Sequence, residues 1–102
     1  MATASERIEI ENVIRPGKTY RVDARRYGVM RKAFLKAIAT KAPGDTLAEL
    51  RARVVPLLPE TEFPGGAKAG WWFKAVQLDL EAKGLVARTA TSPLRVYRAR
   101  AT

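Results

Sequence analysis

Arginine carries the most evident chemistry in this chain of 102 residues. Arg88, Arg95, Arg98 and Arg100 recur near the C-terminal end, and the planar guanidinium fork suits phosphate oxygens. Lys68, Lys74 and Gln77 sit together in a second segment. Their ammonium groups suit phosphate, and a carboxamide suits a base edge. Both sets point to recognition of a polyanion. Bond-breaking chemistry is poorly served, because the chain has no cysteine and no histidine. Thiol nucleophiles, disulfides and thiolate metal sites are excluded, together with the commonest general base. No paired carboxylates and no nucleophile–base pair stand out. We therefore expect no enzyme, no cofactor, no metal and no small-molecule substrate. Gly65 and Gly66 precede a helix whose amides suit an anion, but the phosphate-loop pattern is incomplete and a turn is the simpler role.

Charge supports the same direction. Nineteen Lys and Arg oppose ten Asp and Glu, giving +9 and a pI near 10.5. Such an excess favours nucleic acid, an anionic surface or an acidic protein, although it also serves solubility. Its distribution is uneven. Residues 24–46 carry six bases and one acid, and residues 85–102 carry four bases and no acid, whereas residues 67–84 are nearly balanced. This pattern favours phosphate contact over base reading. No apolar run is long enough to span a bilayer, and the first eleven residues hold no signal-peptide core. We expect a cytoplasmic protein with no membrane partner.

The elements that would position these groups form one domain over residues 1–102, with residues 1–6 disordered. Ile8 and Ile10 alternate with Glu9 and Glu11, a short strand pattern, and Pro16-Gly17 marks a turn before K-T-Y-R-V. Asp23 is placed to cap a helix running to about Thr40, with Tyr27, Met30, Phe34, Ala37 and Ile38 on its apolar face. Thr46 and Glu49 fit a capping box, and Leu47, Leu50, Val54, Leu57 and Leu58 supply a buried stripe. Pro56 ends that helix near Val55. A Pro- and Gly-rich loop over residues 59–66 tucks Phe63 inward, and a third helix over residues 68–83 ends at Gly84. Two strand-like segments, residues 85–89 and 94–98, make a hairpin. The result is an α+β, winged helix-turn-helix-like layout: a short N-terminal strand or arm, a three-helix core over residues 23–84 and a wing over residues 85–99.

On a helical wheel, apolar residues cover more than half of the third helix, and Lys74, Gln77 and Glu81 fall on the rest. Asp79 falls inside the apolar arc, so it needs a donor, with Arg95, Arg25 or Arg26 as expected partner. Of the two adjacent indoles, Trp72 is expected inside and Trp71 partly outside.

V-D-A-R-R-Y at residues 22–27 and G-W-W-F-K-A-V-Q-L-D-L-E-A-K-G at residues 70–84, with P-G-K-T and F-P-G-G between the elements, resemble a family of small uncharacterised bacterial proteins. The resemblance covers the chain from about residue 12 onward. It implies a winged-helix relative and supplies no catalytic residue. Winged helices include DNA binders and modules that bind only protein. The loop at residues 59–66 is longer than the tight turn of a helix-turn-helix, which is about 3–4 residues.

DNA binding, mainly through phosphate contacts, is the leading expectation. Arg88, Arg95, Arg98 and Arg100 would grip phosphate from the wing, and Lys68, Lys74 and Gln77 would approach the groove. The alternative is a protein-interaction module or homodimer without DNA binding, with Phe63, Trp71 and Phe73 as its apolar patch.

Overall fold

The computed structural model describes residues 6–100. The N-terminal segment forms two strands, β1 (Arg7–Glu11) and β2 (Thr19–Asp23), paired antiparallel. Ile8 faces Val22 and Ile10 faces Tyr20, so all four side chains share one face of the hairpin. Ile10 and Val22 are buried, while Ile8 and Tyr20 lie at the margins. Of the expected disordered stretch, residues 1–5 lie outside the described residues, and the Glu6 carbonyl accepts from Ala24 N–H at 3.0 Å.

Helix α1 (Ala24–Ala37) starts as the sequence predicts, with an Asp23 carboxylate oxygen accepting from Arg25 N–H at 3.0 Å. It ends three residues before Thr40. Ile38 is extended, Ala39 N–H donates to Asp45 at 2.8 Å, and the Ala39 carbonyl accepts from Arg98 N–H at 2.8 Å. These bonds draw the chain out of the helix and toward the C-terminal sheet.

That sheet corrects the expected two-stranded wing. A two-residue strand β3 (Asp45–Thr46) pairs with β5 (Arg95–Arg98), which pairs with β4 (Val86–Thr89), giving the order β3-β5-β4. Gly44 makes the close approach possible. A β-carbon there would lie 2.0 Å from the Val96 carbonyl oxygen, and its φ of +90° is also one that side-chain-bearing residues avoid.

Helix α2 (Leu47–Val54) carries the complete Thr46/Glu49 capping box. Pro56 lacks an amide hydrogen, and the chain tightens into a single 3-10 turn at Val55–Leu57. That turn rotates Leu57 outward to 44% exposure, against the buried position expected of it. Helix α3 (Ala69–Ala82) follows a 14-residue connection and begins at Lys68 in a left-handed conformation. It closes in a Schellman arrangement, with Gly84 N–H donating to Glu81 O at 3.1 Å and Leu85 N–H to Leu80 O at 3.0 Å.

The core lies where the three helices meet the C-terminal sheet. Met30, Phe34, Leu50, Val54, Val76, Leu80 and Val96 are fully buried there. Phe34 and Phe73 pack with ring centres 5.2 Å apart. No helix among the described residues is long and apolar enough to cross a membrane.

Candidate functional site: an aromatic and basic groove beside helix α3

Residues 71, 74, 75 and 78 recur at helical spacing and so share one face of α3. Trp71, Lys74, Ala75 and Leu78 form one wall of a groove of about 420 Å³. The β1–β2 hairpin forms the other wall, with Ile10, Tyr20 and Val22 from its inner face and Glu11, Asn12 and Arg21 beside them. Two backbone attachments hold the walls together. Glu11 N–H donates to Asp79 Oδ1 at 2.8 Å, and Val13 N–H donates to the Leu78 carbonyl at 3.3 Å.

Trp71 is 59% exposed, while its neighbour Trp72 is buried. The two rings meet nearly at right angles, 5.0 Å apart, so the buried indole braces the exposed one. Lys68 and Lys74 are exposed and form no ion pair among the described residues. These two belong to the predicted phosphate-binding set, and the structure sets them on the open N-terminal half of α3. Tyr20 and Arg21 are not among the residues the sequence singles out. The signal for Tyr20 lies in its alternation with Val22, which puts it on the hairpin's inner face once the register with Ile10 is known.

Gln77 is corrected. It is 2% exposed, its Nε2 donates to Glu81 at 2.6 Å, and its Oε1 has no hydrogen-bond partner among the described residues. A side chain so enclosed cannot meet a base edge. The helical wheel puts it on the polar side, but α3 is packed around more of its circumference than polarity alone indicates.

The wing arginines are largely engaged with the protein. Arg88 grips the Glu81 carboxylate with two bonds, 2.6 and 3.0 Å long, a bidentate geometry that raises its pKa further. Arg95 donates to the Gly44 carbonyl at 3.0 Å and lies 3.7 Å from Glu49. Arg98 donates to the Arg100 carbonyl at 3.3 Å, and Arg100 reaches the Lys83 carbonyl at 3.4 Å. Arg95 thus ties the sheet toward α2, and Arg88 and Arg100 tie it to the end of α3.

Asp79 is fully buried, and its partners differ from the three arginines expected. It accepts from the Tyr27 hydroxyl, from Lys83 at 2.8 Å and from the Glu11 amide. Burial, then the bond to Asp79, pushes the Tyr27 phenol well above its ordinary pKa. Arg25 instead pairs with Glu62, and Arg26 donates to Asp23 and to the Glu62 carbonyl. The Thr61 hydroxyl, followed by Arg25, holds the Glu62 carboxyl below its ordinary range.

The apolar patch expected of the alternative does not assemble. Phe63 and Phe73 are 2% and 5% exposed, and only Trp71 of the three reaches the surface. Among the described residues no three acidic side chains gather as a metal ion would require. No curated protein and no solved structure matches the chain. A family model does match, over residues 7–96 and thus most of the chain, and the protein belongs to that family of unknown function, DUF6958.

Proposed function

We propose that this protein is a winged-helix-like domain that binds nucleic acid, chiefly through phosphate, from the face made by α3 and the β1–β2 hairpin. The element order supports the fold reading: helix, short strand, two further helices and a C-terminal hairpin that pairs with the short strand. The observation that carries the functional reading is that Lys68 and Lys74, which flank exposed Trp71, form no ion pair among the described residues, on a chain of charge +9. Cations without protein partners are the ones free to displace counterions from a polyanion.

Fluorescence anisotropy with labelled random-sequence DNA tests this. Binding should be strong at low salt and weaken as salt rises. Charge reversal at Lys68 and Lys74 together should weaken it at least tenfold, and Arg88→Gln should change it far less. Absence of binding at low salt would refute the reading.

A second reading, a protein-docking module, is favoured by a separate groove of about 330 Å³ lined by Val29 and Leu57 together with Lys32 and Lys36. Sedimentation of the pure protein checks whether two copies associate through it.

A further inference from the structure

The groove beside Trp71 has features that binding along a duplex does not use. Its volume falls within the range of small-ligand pockets, about 300–1,000 Å³. It exposes two aromatic rings, Trp71 at 59% and Tyr20 at 39%. Trp71 meets Trp72 edge-on, a contact that lowers the side-chain freedom to be lost on binding. The hairpin wall also alters what α3 can do. A recognition helix enters a major groove as a ridge, whereas this helix face forms one side of a cleft.

We propose that the groove receives one unpaired base of a single-stranded nucleic acid, stacked on Trp71, with neighbouring phosphates held by Lys68 and Lys74. The inference rests on the nucleic-acid reading above and specifies its ligand. Stacking is the natural use of an exposed, braced indole, because every base presents a π-face. Lys68 and Lys74 lie one turn before and one turn after Trp71 and are both exposed, so cations flank the ring along the helix. Glu11 and Arg21 border the groove from strand positions that alternate with the inner-face residues, and their opposite charges balance.

The test uses the full chain with a single-stranded oligonucleotide of about 12 residues and the duplex of the same length. Anisotropy gives the affinities, and quenching of tryptophan emission that is lost in Trp71→Phe reports on Trp71, since both indoles emit and Trp72 is buried. The single strand should bind more tightly than the duplex and quench the emission. Trp71→Ala should weaken single-strand binding by about 5- to 150-fold, the usual contribution of one stacked base, and leave duplex binding unchanged. Trp71→Phe should restore most of the loss. Duplex binding equal to single-strand binding, with no effect of Trp71→Ala, would overturn the groove assignment and leave phosphate-led binding standing. A Trp71→Ala variant that dissolves a dimer in sedimentation without changing single-strand affinity would also overturn it. Failure of both nucleic acids to bind at low salt would overturn both readings together.

Discussion

Asp79 and Lys83, one turn apart on α3, are joined at 2.8 Å, yet the aspartate is fully buried and the lysine is partly exposed. The carboxylate is tolerated there because three donors from three places converge on it: Lys83 on its own helix, Tyr27 on α1 and the Glu11 amide on β1. A buried charge without such donors would be strongly unfavourable. The same group thus joins α1, α3 and the hairpin that forms the groove wall.

Asp79→Ala should therefore cost about 3 kcal/mol, because it leaves the Tyr27 hydroxyl and the Glu11 amide without their acceptor. Urea denaturation would measure the loss. Tyr27→Phe in the Asp79→Ala background should cost much less than in the native background, since the two groups act together. Equal costs in the two backgrounds would show that the hydrogen bond between them contributes nothing.

The capping box at the start of α2 ties stability to acid. The Thr46 amide and hydroxyl, which bond Glu49, hold its carboxyl below the ordinary value of 4.5. A folded-state pKa below the unfolded one adds stability above the unfolded value and loses it as pH falls through the folded one. Glu49→Gln should therefore flatten the decline in melting temperature below about pH 4.5. Thr46→Ala should cost about 1 kcal/mol at neutral pH. An unchanged acid limb in Glu49→Gln would remove this account.

Two glycines should respond in opposite directions. Gly44→Ala would drive a β-carbon into the Val96 carbonyl and should cost more than about 1 kcal/mol. Gly28 lies inside α1, and a β-carbon placed there would meet nothing within 4 Å, so Gly28→Ala should stabilise by about 0.5–1 kcal/mol. Thermal melts of the two variants give the comparison directly.

Gln77→Met removes a buried acceptor that has no partner among the described residues, at nearly constant volume. Arg88 would still hold the Glu81 carboxylate. Stability should stay level or rise by up to about 1 kcal/mol, and affinity for DNA should not change. A marked loss of affinity would return Gln77 to the binding surface.

Local signals are easy to read in the sequence. Asp23, the Thr46/Glu49 box and Gly84 act through bonds to their own neighbours, and all three sit where their residue types predict. The burial of Phe63 follows from residue type, and the inside–outside split of Trp71 and Trp72 follows from helical spacing, which puts Trp72 in one row with Val76 and Leu80. Long-range pairing is hidden. Asp45 and Thr46 form a strand only because Val96 and Arg95 lie opposite them, and two residues cannot display an alternation. The site is less legible than the fold for the same reason. Lys68 and Lys74 stay in solvent, and helical spacing puts Glu81 within reach of Gln77, but nothing near Arg88 in the chain indicates that it reaches the same carboxylate. Tyr20 joins Trp71 only through the docking of the hairpin on α3.

The attachments of Glu11 to Asp79 and Val13 to Leu78 bear on how this protein can be divided. A fragment starting at Asp23 would keep every helix and the whole C-terminal sheet. It would nevertheless uncover the Leu78 flank, take one donor from a buried carboxylate and delete a wall of the cleft. The first two strands are thus part of the smallest unit that can be excised intact.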